Sequence, residues 1–384
     1  MRTARRLGPI GKTIFTEITR MAAERGAINL GQGFPNFDGP EFVKEAATRA
    51  MADGHNQYPP SFGIPELARA VADRFTADTG LAIDPAAHVT ITSGCTEALA
   101  ATFLGLIDPG DEVVLIEPTY DAYPADLALA GGVGRYVTLR PPSFALDIAE
   151  LRDAFTPRTR AIVVNTPHNP TGRVFTSREL QAVADLCREH DAIAISDEVY
   201  ERMVYEGEHL SLAAFPGMWE RTVTLSSLGK SFSLTGWKVG WAIAPEQLTA
   251  GVRGAHQFLT FATAHPLQHG AVAALSVLDD YYRELVDAYR RRRDLLAEGL
   301  EALGFGVFVP HGTYFLMADH TPFGFADDAA FVRHLIQATG VAAIPPSAFY
   351  HRTEDGASLV RFAFCKDEGT LREALLRMEP LRAR

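Results

Sequence analysis

Between residues 88 and 244 six short runs of β-forming residues recur, and most of them close on a small cluster of polar residues or glycine. They are His88–Thr92, Glu112–Glu117, Ala161–Asn165, Ala192–Ser196, Thr222–Ser226 and Val239–Ala244. Their interiors are nearly unbroken apolar stretches such as Val-Val-Leu-Ile, the pattern of strands covered on both faces. Helical segments separate them. Thr96–Leu106 is one, and Thr176-Ser-Arg-Glu179 is a capping box that opens another through Cys187. This alternation predicts an α/β chain whose mainly parallel sheet is flanked by helices. Ala271–Leu278 reads as buried helix. Beyond it, Tyr281–Glu301 is a long charged amphipathic helix, followed by strand-like Thr313–Met317, Val341–Ile344 and Leu359–Phe364, which together predict a small α+β unit.

The chain has 384 residues, enough for two units of ordinary size. A net charge of −11 argues against a grip on nucleic acid or on an anionic membrane, so neither is an expected partner. Cys95, Cys187 and Cys365 are too few and too scattered for a disulfide framework, and read as reduced thiols in a cytoplasmic protein. The basic start with Arg2, Arg5 and Arg6 is broken by Leu7–Lys12 before an export signal could form. No stretch approaches the roughly 18 apolar residues of a membrane span.

Three motifs invite readings that their spacing refuses. Gly229-Lys-Ser231 looks like the end of a nucleotide-binding phosphate loop, but Thr224 stands where that loop needs glycine. Gly31-Gln-Gly33 lacks the third glycine of a dinucleotide fingerprint, Asn36 being there instead. His265 and His269 are four apart, but no metalloprotease glutamate accompanies them and Pro266 interrupts the helix they would need, so no metal is expected.

Open α/β sheets bind ligands beyond the carboxyl ends of their strands. There the chain gathers Ser93-Gly-Cys-Thr96 opening a helix, Asn165–Gly172, Ser196-Asp-Glu-Val-Tyr200, Ser226-Ser-Leu-Gly-Lys230 and Gly236-Trp-Lys238. One anion site, one lysine, one carboxylate and one phenol are the groups that pyridoxal 5′-phosphate (PLP) requires. The ordered set Asn29–Pro35, Asn56–Pro60, Glu117–Asp121, Asn165–Gly172, Asp197–Tyr200, Ser227–Ser231, Thr235–Trp241 and Arg361–Lys366 resembles the class I aminotransferases of PLP fold type I, in the branch of kynurenine, glutamine and methionine aminotransferases. The resemblance spans nearly the whole chain. It implies a seven-stranded sheet, with residues 45–275 as the large PLP-binding domain and 1–44 plus 276–384 as an N-terminal arm and small domain.

By that resemblance Lys230 is the imine-forming base, Asp197 pairs with the pyridinium nitrogen, and Tyr200 and Asn169 contact the phenolic oxygen. Gly94, Cys95, Thr96, Ser227 and Lys238 hold the phosphate, with Cys95 serving through its backbone amide and not as a nucleophile. Tyr120 stacks on the ring, and Tyr58 reaches the cofactor of a neighbouring subunit, which implies a homodimer with shared active sites. Arg361 grips the substrate α-carboxylate with two parallel hydrogen bonds, Asn169 contacts the same carboxylate, and the amide of Gly33 lies near it. Phe15, Phe34, Tyr58, Tyr120 and Phe261 form an aromatic wall suited to neutral, aromatic or sulfur-containing L-amino acids, exchanged with a 2-oxo acid by ping-pong kinetics. Phe15 stands where some kynurenine-processing relatives carry Trp. An alternative substrate is N-succinyl-diaminopimelate, reached by Arg20, Arg135 or Arg173. Rival functions are β-elimination from cysteine S-conjugates, a non-catalytic PLP-fold binding protein, and a nucleotide hydrolase, which already fails at Thr224.

Overall fold

A computed structural model describes residues 14–382 together with Ala4 and Arg6, with Phe15 described by its backbone alone. The N-terminal run Leu7–Lys12 and the side chain of Phe15 lie outside the described residues. Among these residues the largest sheet has seven strands: β1 (Val89–Thr92), β2 (Glu112–Glu117), β3 (Val133–Thr138), β4 (Thr159–Asn165), β5 (Ile193–Asp197), β6 (Thr222–Ser227) and β7 (Gly240–Ile243). Their order across the sheet is β1-β7-β6-β5-β4-β2-β3. All run the same way except β7, which is antiparallel to both neighbours.

Side-chain alternation shows why both faces are covered. Val114, Ile116, Ile162 and Val164 pack to one side with Leu180, Val183 and Leu186 of the helix Ser177–Glu189. Val113, Leu115, Val163 and Ile195 pack to the other with Ala98, Leu99 and Phe103 of the helix Gly94–Leu106. Each fully buried aliphatic side chain of this kind contributes roughly 1.5–3 kcal/mol, so a strand with six buried positions such as β2 is held from both layers. The capping box forms as expected: the Thr176 hydroxyl accepts from the Glu179 amide while the Glu179 carboxylate accepts from Thr176 N.

Five differences from the sequence reading have local causes. Strand β3 escaped notice because it lies at the sheet edge, where Gly134 and Arg135 interrupt its apolar run and most of its residues stay partly exposed. Lys238 has φ +53° and Thr313 φ +62°, left-handed conformations that no strand tolerates. The strands that follow therefore start later, at Gly240 and Phe315. The helix expected to reach Leu278 ends at Leu275, and Leu278 is exposed. Pro266 opens that helix, His265–Leu275, in its first turn, where its missing N–H costs nothing, and so does not interrupt it.

The remaining chain packs around a second core. The helices Asp279–Leu303 and Asp328–Thr339 cover an antiparallel sheet in which Phe315–Asp319 lies between Gly306–Phe308 and Leu359–Ala363. The N-terminal helix Ile14–Arg25 adds Ile18 and Ala22 to this core. Ile28–Asn29 then pairs in parallel with Val341–Ala342, which delivers the segment Gly31–Phe34 to the strand carrying Arg361.

Candidate active site

Strands β1, β4, β5 and β6 end at one edge of the large sheet, and antiparallel β7 begins there, with Gly240 paired to both Thr92 and Ser227. A cavity of about 430 Å³ opens at that edge. Asp197, Tyr200 and Lys230 line it from the sheet, and Gly33, Phe315 and Arg361 from the second core.

Asp197 ends β5 with its side chain buried. Its carboxylate accepts from the Tyr123 hydroxyl at 2.7 Å and from the Val199 amide at 3.3 Å, and the Cys95 thiol lies 3.7 Å away. Burial pushes its pKa up, against the pull of Tyr123, the Val199 amide and the Lys230 ammonium. A buried acid with three donors and, among the described residues, no cation in contact is an incomplete arrangement, and a ring N–H⁺ is the partner that completes it. Burial likewise raises the Cys95 thiol well above its ordinary pKa, so it is protonated and not a nucleophile.

Lys230 lies in the single turn Leu228–Ser231 that follows β6. Its Nζ donates to the Tyr314 hydroxyl at 3.1 Å, and that hydroxyl donates to the Gly33 carbonyl at 2.6 Å. Burial pushes the amine pKa down, with Asp197 among the groups opposing it. Tyr200 is buried beside it, its ring edge-on to Tyr314 at 5.2 Å.

At the other end of the cavity the helix Gly94–Leu106 begins, and its N-cap Ser93 makes no side-chain capping bond. The first amides of any helix lack intrahelical partners and favour an anion. Lys238 Nζ donates to Thr96 Oγ1 at 3.0 Å, placing a cation over the same turn, and Ser227 lines the cavity beside it. Two glycines make the approach possible. Gly94 has φ +76°, and a Cβ on Gly240 would lie 2.6 Å from the Cys95 amide nitrogen.

Arg361 is buried in the strand Leu359–Ala363. Its guanidinium donates to Asn169 Oδ1 at 3.1 Å and to the Gly31 carbonyl at 2.8 Å, and stacks 4.1 Å from the Phe315 ring centre. Asn169 is itself held by the Asn165 side chain, which accepts from its amide at 2.7 Å. Burial takes the Arg361 pKa down to about 10, which still leaves a full positive charge at neutral pH. At Gly33 an added Cβ would collide with the Phe315 and Tyr314 rings, so only glycine brings this backbone so close.

The cavity thus gathers Gly33, Gly94, Cys95, Thr96, Tyr120, Asn169, Asp197, Tyr200, Ser227, Lys230, Lys238 and Arg361, each expected there from sequence. Phe261 does not line this chain's cavity; it stacks edge-on at 5.2 Å with Tyr58, which is expected at a neighbouring subunit's site and is 82% exposed here. The aromatic wall within one chain is instead Phe34, Tyr120, Tyr123, Tyr200 and Phe315. The candidate distal arginines are also absent from it: Arg20 pairs with Glu24, Arg173 with Glu179, and Arg135 sits on edge strand β3. Tyr123 and Tyr314 were not anticipated. Tyr123 lies three residues after Tyr120, a helical spacing that could have flagged it, whereas Tyr314 carried no local signal.

A helix N-terminus under a lysine, a buried acid, two phenols and an amine of lowered pKa fit PLP part by part, and the fold and site together define a PLP-dependent aminotransferase. A family model described as aminotransferase class I and II matches residues 25–378, and the chain belongs to that family. Over its whole length it is 47% identical to a probable N-succinyldiaminopimelate aminotransferase of Mycobacterium tuberculosis, covering 99% of that protein. It is 40% identical to human kynurenine–oxoglutarate transaminase 1, over 96% of this chain and 95% of the other. A solved Escherichia coli structure identified with a methionine aminotransferase function superposes with a TM-score of 0.95 at 38% identity, over 99% of this chain and all of that one.

Proposed function

We propose that this aminotransferase acts on L-amino acids with large uncharged side chains, aromatic or sulfur-containing, and returns the amino group to a 2-oxo acid. The observation that carries this reading is the cavity lining: among the described residues that form it, Arg361 is the one arginine, and the walls around it are aromatic. Relatives named for methionine and kynurenine support it. N-succinyl-diaminopimelate is the second reading, favoured by the 47% identity to the Mycobacterium tuberculosis protein. A panel of amino acids, each scored for conversion of the yellow holoenzyme to its amine form, tests the two. Methionine and phenylalanine are expected to lead, and N-succinyl-diaminopimelate outpacing them overturns the first reading.

When bound, PLP supplies an electron sink for negative charge developing at the substrate Cα. Arg361, aided by Asn169 and the Gly33 amide, orients the substrate by its α-carboxylate. Lys230 would anchor the cofactor and would move the proton at the substrate Cα, a task that its lowered pKa suits by leaving more of the amine neutral. Asp197, itself held by Tyr123 and Cys95, would hold the ring nitrogen proton, and Tyr200 and Asn169 would donate to the phenolic oxygen. Lys238, Thr96, Ser227 and the amides after Gly94 would hold the phosphate, and Tyr120 would supply an aromatic face to the ring. On this reading residues 45–275 would form the cofactor-binding unit, with Gly33 and Arg361 supplied to its cavity by described residues of 1–44 and 276–384.

Arg361→Lys is expected to keep charge but lose the forked pair of bonds. Forfeiting one charge-assisted hydrogen bond of about 2 kcal/mol raises KM for the amino acid roughly thirtyfold, and an unchanged KM rejects the assignment.

The working unit is a homodimer. An exposed apolar face supports it: Phe258 is 86% exposed, and Leu259 and Phe261 continue the same surface beside Tyr58. In the dimer Tyr58 reaches the partner's cofactor. An active enzyme that sediments as a monomer overturns this. No helix among the described residues is long and apolar enough to cross a membrane, and the thiols Cys95, Cys187 and Cys365 are free, which supports a cytoplasmic location.

A further inference from the structure

Three histidines that the transamination site does not use meet where the loop carrying Tyr58 touches the helix after Phe261. His265 is the first residue of the helix His265–Leu275, and His269 follows one turn later on the same face. The loop at residues 53–60 brings His55 against both, with ring centres 4.2 Å from His269 and 5.0 Å from His265. The helix pair is 5.3 Å apart. One ligand nitrogen from each ring lies within 4.8 Å of the other two.

Two further observations point to a ligand. His269 Nε2 is buried and has no hydrogen-bond partner among the described residues, so a lone pair or an N–H is left unanswered in the interior. His265 Nδ1 is 3.0 Å from the Gln57 carbonyl, which can only accept, so Nδ1 carries a proton and the neutral tautomer this bond selects has its lone pair on Nε2. Metal-bound histidines are oriented by such a bond from the opposite nitrogen.

We propose that His55, His265 and His269 bind one divalent transition-metal ion of the zinc type through three imidazole nitrogens, with water in the fourth position. Imidazole is the ligand such ions share, and zinc takes a tetrahedral set of three nitrogens and one oxygen without geometric penalty. Zn–N bonds of about 2.0–2.1 Å place ligand nitrogens about 3.4 Å apart, so an ion would draw together the three nitrogens that now lie within 4.8 Å of one another. The ion ties the loop at residues 53–60 to the helix His265–Leu275 and so steadies the Tyr58–Phe261 pair. This site is independent of the substrate reading, since none of its ligands lines the catalytic cavity.

The test uses tag-free holoenzyme, stripped with chelator and titrated with ZnCl2 by calorimetry, with Co2+ as a spectroscopic probe. Expected are one ion per chain, visible Co2+ bands of tetrahedral intensity, and a rise in thermal midpoint with Zn2+. His55→Gln and His269→Gln should each weaken Zn2+ binding more than about tenfold and abolish the thermal shift. Their metal-free melting and PLP absorption, unchanged from wild type, show that they fold. Absence of stoichiometric binding at micromolar Zn2+, or equal affinity in both variants, overturns the proposal.

Discussion

Lys230→Ala is expected to abolish borohydride-fixed attachment of PLP and to lower turnover by on the order of 10⁴ or more. Loss of a positioned base alone costs about 10²–10⁴, and the same substitution also removes the covalent anchor. Geometry makes the residue hard to replace. Its Nζ is held at 3.1 Å by Tyr314, whose hydroxyl is in turn committed to Gly33, so the amine is poised at the junction of the two cores. Lys238, the other lysine lining the cavity among the described residues, is occupied at Thr96. Reduction with borohydride followed by peptide mapping checks the result. A cofactor adduct recovered from another lysine of the variant would show that the anchor is elsewhere.

Asp197→Asn should give two opposite effects. In the holoenzyme, turnover falls at least about a hundredfold, the usual loss when one preorganised charge facing developing charge is removed. In the cofactor-free protein the same change should raise stability at neutral pH. The sign follows from the raised pKa: an acid held above its unfolded value is stabilised by folding only while protonated. As pH rises from the unfolded pKa of about 3.9 through the folded one, that advantage is lost and ionisation of a buried carboxyl becomes a net cost. Asparagine cannot ionise and avoids it. Urea denaturation of apo wild type and variant at pH 5 and pH 8 checks this. The stability gap should widen towards pH 8, and an apo variant that loses stability with rising pH as steeply as wild type rejects the buried-charge account.

The cofactor end of the site was legible because its residues sit at strand ends. Asp197 closes β5, Lys230 follows β6, and Gly94 follows β1, so once the apolar runs are recognised as parallel strands their exits converge by topology alone. Edge strand β3 was not legible, since a half-exposed strand with Gly134 and Arg135 lacks the continuous apolar signature of its neighbours. The late starts of the strands at Gly240 and Phe315 were hidden for a different reason: the backbone is left-handed at Lys238 and Thr313, and neither residue type announces it.

The sequence by itself determined the layering, the crevice and the chemistry of its floor, because hydrophobic period and the residues that follow each apolar run are local properties. Only the tertiary structure decided which groups answer one another across it. The Lys230–Tyr314–Gly33 chain, the Tyr123 hydroxyl on Asp197, the outward turn of Tyr58 and Phe261, and the meeting of His55 with His265 and His269 all join segments far apart in the chain. Such contacts arise from how two cores dock. Local propensity carries no record of that, because a side chain's partner is set by the packing of everything between them.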